Sequence, residues 1–209
     1  MKVQRSKLQS LIQFLVRRLT KLEILGLENV PTSGGILITL NHLSYVDSAL
    51  LFMCPTRQDI TALITDKYKK HFAFRWFVES ARGIWIDREK ADFVAFRQAI
   101  EALKGGAALA IAPEGTRSKD GAMQPGKPGA VFLALRAGVP ILPLGIWGTE
   151  NVFSSIARFK RANMFARFGK PYLMPPLDRD NRDEAMRRAT DEMMCRIAAL
   201  VPEEYRGVY

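Results

Sequence analysis

The chain has 209 residues, 48% of them hydrophobic and 25% charged, with a mean hydropathy of −0.04. This composition fits one globular domain with a sizeable core and excludes disorder, collagen and a polytopic membrane protein. The 31 Lys and Arg against 21 Asp and Glu leave a formal charge of +10, so the expected partners are anionic: nucleic acid, an acidic membrane surface or phosphorylated ligands.

Lys2 to Leu22 place Leu8, Leu11, Ile12, Leu15, Val16, Leu19 and Leu22 at helical spacing, with Arg5, Arg17, Arg18 and Lys21 largely off that stripe. The pattern predicts a basic amphipathic helix. Arg17 and Arg18 interrupt it short of the roughly 18 apolar residues that a membrane span needs. Such a helix lies on a bilayer or packs on the protein's own core, and the pattern suits both. We therefore divide the chain into an N-terminal amphipathic helical segment, residues 1–26, and a single domain, residues 27–209.

Past Pro31 and Gly34-Gly35, short apolar runs alternate with helical stretches, which predicts an α/β fold with a mainly parallel central sheet flanked by helices. The predicted strands are Ile36–Leu40, Ile60–Ile64, Gly83–Ile86, Ala107–Ala112, Ile141–Trp147 and Ala166–Tyr172. The predicted helices are Tyr45–Met53, Lys67–Ser80, Ala91–Lys104, Gly129–Ala137 and Arg182–Leu200, the last with Met186, Ala189, Met193, Ile197 and Leu200 facing inward. Ligands of open α/β sheets gather at the carboxyl ends of strands, so the residues after Leu40, Ile86 and Ala112 carry the functional expectation.

After the first of these strands comes Asn41-His42-Leu43-Ser44-Tyr45-Val46-Asp47. If the helix begins at Ser44, His42 lies in the turn before it and can meet Asp47, which would fix the imidazole tautomer while the other ring nitrogen takes a proton from a hydroxyl. Ser44-x-x-Asp47 is equally a capping box that starts a helix. After Ala112 comes Pro113-Glu114-Gly115-Thr116-Arg117-Ser118. Arg117 is suited to grip a phosphate bidentately and Gly115 to let backbone approach a ligand, while the plainer alternative is a turn with a surface Glu–Arg pair. Gly83–Arg88 ends another strand with a second guanidinium, so Arg88 and Arg117 would bracket one phosphate.

Gly121 to Lys127 fits seven positions of a Walker A loop, but Pro128 stands where a hydroxyl is needed, and Pro125 and Pro128 remove backbone donors. This reads as a mobile basic loop, with Lys127 a contact for a phosphate or a thioester carrier. Only Cys54 and Cys195, and only His42 and His71, are present, so no metal site and no disulfide framework is expected, and a reducing compartment is the expected setting. No G-x-S-x-G elbow supplies an enzyme nucleophile. A base without one should activate an acceptor hydroxyl directly, which predicts acyl or phosphoryl transfer within a ternary complex.

Taken in order, NHLSYVD (41–47), GIWIDR (83–88), PEGTRS (113–118) and VPILPLGIWG (139–148) resemble the motif blocks of the glycerolipid acyltransferase family, specifically bacterial 1-acylglycerol-3-phosphate O-acyltransferases, the lysophosphatidic acid acyltransferases. The resemblance implies that His42 is the general base and Asp47 its partner. It further implies that Arg88 and Arg117 hold the phosphate of lysophosphatidic acid, and that Glu114, Gly115 and Thr116 shape the acceptor site. The donor would be acyl-CoA or an acyl carrier protein thioester, with no metal or prosthetic group. The expected setting is an anionic membrane surface, peripheral on its cytoplasmic face. Departures from the family pattern are Trp85 for Phe, Arg82 in a common glycine slot, Ala112 for Phe, and Leu43 for the arginine typical of glycerol-3-phosphate acyltransferases. Alternatives are glycerol 3-phosphate or another lysophospholipid as acceptor. A different class is a non-catalytic binder of anionic lipid or nucleic acid, although no RNA-binding sheet motif or DNA-reading unit is present, so no nucleic acid partner is expected.

Overall fold

The computed structural model describes residues 2–51, 53–87, 92–178 and 180–209. The first helix, α1 (Lys2–Leu19), ends earlier than its apolar spacing predicts, and Thr20–Leu25 forms a strand, β1. The change of period explains this. Thr20, Leu22 and Ile24 alternate with outward Lys21, Glu23 and Leu25, a two-residue repeat that pairs in parallel with a late strand, β7 (Ala162–Phe168). Arg161 also reaches back to cap the helix end: its guanidinium donates to the carbonyls of Arg17, at 2.7 Å, and of Thr20.

The remaining elements follow the predicted alternation with shifted ends. They are β2 (Ile36–Leu40), α2 (Asp47–Leu51), β3 (Thr61–Thr65), α3 (Phe72–Ser80), β4 (Ile84–Ile86), α4 (Phe93–Lys104), β5 (Ala108–Ile111), α5 (Gly129–Ala137), β6 (Ile141–Trp147), α6 (Val152–Ala157) and α7 (Arg182–Ala198). The predicted helix from Lys67 divides into a 3-10 turn at Asp66–Tyr68 and α3, and α6 was not anticipated. The predicted strand Ala166–Tyr172 lies instead at Ala162–Phe168. Its two-residue burial rhythm begins at Ala162 and Met164, hidden in the sequence by the intervening Asn163 and Arg167, and Tyr172 makes only an isolated bridge to Ile141.

The seven strands form one sheet in the order β1-β7-β6-β2-β5-β3-β4, parallel throughout except for the antiparallel β6–β7 pair. Alternate side chains supply two cores. Ile36, Ile38, Ala110, Leu142 and Leu144 face α1, α2 and α6, whereas Leu37, Leu109 and Ile141 face α4, α5 and α7. Every residue of β2 is buried, as a central parallel strand covered on both faces requires. Met193 and Ile197 of α7 are fully buried, as the predicted stripe places them.

The structure gives α1 two apolar stripes. Leu8 and Val16 are buried and Ile12 packs on the same core, while Leu11, Phe14, Leu15 and Leu19 point outward. Core packing and surface exposure are therefore both true of one helix. No helix among the described residues is long and apolar enough to cross a membrane.

Candidate active site

The site begins with the way β2 ends. Asn41 is fully buried, and its amide exchanges two 2.8 Å hydrogen bonds with the backbone of Ile146 on β6. A side chain thus completes the sheet ladder where the backbone leaves it, which turns His42 out at a fixed place. His42 Nδ1 lies 2.7 Å from Asp47 Oδ2, and Asp47 is 2% exposed. The Leu43 and Ser44 N–H groups donate to the same Oδ2, at 2.8 and 2.9 Å, and the Thr149 hydroxyl donates to Oδ1 at 2.5 Å. With three other donors converging on it, Asp47 is the acceptor, so Nδ1 carries the imidazole proton and Nε2 is the ring nitrogen left for a ligand. The capping reading holds in half: Asp47 accepts from Ser44 N–H as a capping box requires, but the Ser44 hydroxyl accepts from Val46 N–H rather than from Asp47, and α2 starts at Asp47, which anchors the ring at the same time.

The second predicted turn follows β5. Gly115 adopts φ +70, and its N–H closes onto the Ala112 carbonyl at 3.1 Å. The left-handed backbone favours glycine there, and a Cβ would lie 3.2 Å from the Lys127 Nζ, so any other residue would also push the lysine that crosses it. Glu114 departs from expectation. It is 2% exposed and does not line the cavity; Oε1 accepts from His42 N–H and Oε2 from Gln124 N–H, each at 2.9 Å. Burial pushes its pKa above the usual glutamate range, against the lowering pull of these two backbone donors. The plainer alternative, a surface Glu–Arg pair, is not formed either: Glu114 braces the histidine turn from beneath. The brace is reciprocal, since Ser118 N–H donates to the His42 carbonyl at 2.8 Å.

The 121–128 loop, expected to be mobile, is instead pinned. Met123 is 1% exposed, its N–H donates to Tyr205 O at 2.9 Å, Gly126 N–H donates to the Tyr209 hydroxyl at 2.8 Å, and Lys127 N–H donates to Pro113 O at 2.9 Å. The C-terminal residues thus hold the loop that carries Lys127 and Gln124. This contact between distant segments left no local signal in the sequence.

Arg117 and Lys127 lie at the rim with two tyrosines that sequence reasoning missed. The Arg117 guanidinium stacks 3.7 Å from the Tyr45 ring centroid and donates to the hydroxyls of Tyr45 and Tyr68, at 2.9 and 3.3 Å. The bond with Tyr68, followed by the Arg117 charge and its hydrogen bond, holds the Tyr45 hydroxyl below the ordinary tyrosine range. Tyr45 was visible inside the first motif; Tyr68 had no motif to mark it. His42, Gly115, Thr116, Arg117 and Lys127 all line one cavity of about 450 Å³. Apolar residues complete its lining, among them Leu51, Leu63, Ile64 and Phe74, so a single pocket offers a titratable ring, fixed cations and a hydrocarbon wall. Arg88, the other expected phosphate ligand, lies outside the described residues. Among the described residues no three His, Cys, Asp or Glu side chains cluster as a metal site would require.

Comparison with known proteins places this arrangement. A 1-acyl-sn-glycerol-3-phosphate acyltransferase of Borreliella burgdorferi is 28% identical over 139 residues, 64% of this chain and 54% of its own length. One of Saccharomyces cerevisiae is 30% identical over 184 residues, 82% of this chain and 58% of its own length. The chain thus spans little more than half the length of these two relatives. The crystal structure of the 1-acyl-sn-glycerophosphate (LPA) acyltransferase, PlsC, from Thermotoga maritima matches 94% of this chain and 80% of its own, with a TM-score of 0.66 at 24% identity, a likeness of fold. The family model described as Acyltransferase matches residues 21–147, a span that runs from the second residue of β1 to the end of β6 and contains both motif-bearing turns. Most of the chain, with both His42 and Asp47, falls inside that match, while Thr149 stands just beyond it, and the chain belongs to the acyltransferase family.

Proposed function

We propose that this acyltransferase transfers a fatty acyl group from an acyl-CoA or acyl carrier protein thioester to the free hydroxyl of 1-acylglycerol-3-phosphate, giving phosphatidate. The observation that carries the reading is the His42 ring, tethered by Asp47 at 2.7 Å and lining a cavity that also holds Arg117, Lys127 and an apolar wall. The named relatives are acyltransferases of this acceptor class.

In this reading His42 Nε2 takes the proton of the acceptor hydroxyl as its oxygen attacks the thioester carbonyl carbon. The tetrahedral oxyanion then collapses, the C–S bond breaks, and the imidazolium returns the proton to the leaving thiolate; ester and thiol are the products. Asp47 stabilises the imidazolium in between. Leu43 and Ser44 N–H are committed to Asp47 and Gly115 N–H to Ala112, so the oxyanion donors in this reading are drawn from the backbone N–H groups of Tyr45, Thr116 and Arg117, which line the same cavity. Arg117, with Lys127 and the motif-matched Arg88, anchors the acceptor phosphate, and Leu63, Ile64 and Phe74 take hydrocarbon. The chemistry as written uses no metal or prosthetic group. The outward stripe of α1 and the +10 charge suit a peripheral position at the cytoplasmic face of an anionic membrane, where such an acceptor partitions.

The test is a panel of acceptors offered to the purified chain with both donor types, the products being identified by mass. Phosphatidate should form fastest from 1-acylglycerol-3-phosphate, without a burst of acyl-enzyme. Preference for an acceptor lacking phosphate, or a trapped covalent acyl adduct, overturns the assignment.

A further inference from the structure

The turn between α6 and β7 is built in a costly way. Arg158 and Lys160 N–H donate to the Ser155 carbonyl at 3.0 and 2.9 Å, and Phe159 N–H donates to Ile156 O at 2.9 Å. These bonds leave Phe159 at φ +56, a left-handed conformation that is strained for a non-glycine residue. Its ring is fully exposed. Glycine or asparagine would serve such a turn better, and among the described residues no ring contact compensates the exposed side chain.

The surroundings say what would. Arg161 fastens this turn to the end of α1 through the carbonyls of Arg17 and Thr20, and Thr20 pairs with Ala162. The turn is therefore tied to the end of α1 where Leu15 and Leu19 are exposed; Arg158 and Lys160 flank the exposed ring in the chain, and the exposed Arg17 and Arg18 stand at the helix end that Arg161 holds, so the joined segments carry a collar of cations. Neither residues 2–22 nor residues 151–177 contain an Asp or Glu, so both segments carry uncompensated positive charge. The turn also lies at the sheet edge from which the site projects: β7 begins there, antiparallel to β6, whose end leads into Thr149 and its bond to Asp47. An apolar tip in a cationic collar, continuous with an apolar helix face, is complementary to the headgroup zone of an anionic bilayer.

We propose that the Arg158–Arg161 turn is a second membrane anchor: Phe159 enters the interfacial zone, Arg158 and Lys160 engage lipid phosphates, and together with α1 the turn mounts the protein with its cavity edge toward the bilayer. This rests on the reading of the outward α1 stripe as membrane-facing. Three full-length variants separate the two ideas: Phe159→Gly, Arg158→Glu with Lys160→Glu, and Phe14→Ser with Leu15→Ser. Each is measured for partitioning into phosphatidylglycerol-containing vesicles and into pure phosphatidylcholine vesicles.

Phe159→Gly should weaken partitioning about tenfold and leave thermal stability equal or higher, because glycine relieves the backbone strain. The double Glu variant should abolish the preference for the anionic vesicles. Turnover of all variants in detergent micelles should match the parent chain. Loss of partitioning in the α1 variant with none in Phe159→Gly overturns the second anchor and leaves the α1 reading standing. No vesicle binding by any form, or no loss in any variant, overturns both. Unchanged vesicle binding with weakened use of an acyl carrier protein donor also overturns the proposal, assigning the turn to an acidic protein instead.

Discussion

At the amino ends of β2, β3 and β5, Arg57 is 3% exposed; it pairs bidentately with Asp59 at 2.7 Å and donates to the carbonyls of Pro31, Gly34 and Gly106. At the carboxyl ends of β2, β5 and β6, Asp47 and Glu114 are each 2% exposed and accept hydrogen bonds from the backbone of residues 42, 43, 44 and 124. Both ends satisfy buried charges with the loose ends of loops, as burial demands. The difference is what the networks deliver. The Arg57 network closes on itself and joins three loops, whereas the Asp47 network holds a titratable ring against a cavity. Buried charge by itself therefore marks structure as readily as function, and the distinguishing observation is an anchored group with one face left for a ligand.

That contrast is sharpened by substitution. His42→Ala should reduce turnover about 10³-fold while leaving the melting temperature nearly unchanged; substantial residual turnover in steady-state assays would show the ring is not the base. Arg57→Met should do the reverse. It strands three loop carbonyls, so urea unfolding should show a loss of about 3 kcal/mol, with kcat of the folded enzyme preserved. Inactivation at unchanged stability would mean that the two ends are not separable.

Glu114→Gln probes the boundary between the two roles, because it places an amide NH₂ against a backbone donor under His42. A fall in kcat of about tenfold is expected, with little change in acceptor KM. The same variant has a pH signature. Burial raises the folded pKa of Glu114 above its unfolded value, so between the two the folded state holds more protons and stability falls as pH rises from about 4. That contribution should vanish in Glu114→Gln, as measured by denaturant midpoints across the acid range. The smallest effect is expected at the rim: Arg117→Lys keeps the charge but loses the planar fork and the stacking on Tyr45, so acceptor KM should rise about tenfold with kcat close to the parent value. A kcat defect instead would draw Arg117 into the chemical step.

How much of this was legible in the sequence follows from the range of each interaction. The apolar runs of β2 and β6 and the stripe of α7 are set by local side-chain hydrophobicity, and their positions emerged from periodicity alone. His42 and Asp47 are five residues apart, close enough for a turn geometry to be tested against a helix. β1 was read as the end of a helix because its alternation is short and its partner β7 lies about 140 residues away, so only pairing reveals it, and β7 was placed four residues late because Asn163 and Arg167 blur where its alternation begins. Glu114 was expected to shape the acceptor site, or to form a surface pair with an arginine, because its motif says nothing about which way a carboxylate points. The backbone of residues 42 and 124 decided that.

The sequence by itself determined the α/β class, the strand ends at which chemistry collects and the histidine–aspartate pair, since these depend on composition and short spacing. Only the tertiary structure decided that Thr149 and Glu114 brace the pair, that the C-terminal Tyr205 and Tyr209 fasten the Lys127 loop, and that α1 serves core and surface at once. Each of these joins segments far apart in the chain, and a hydrogen bond or a buried contact between them exists only once the sheet has brought them together.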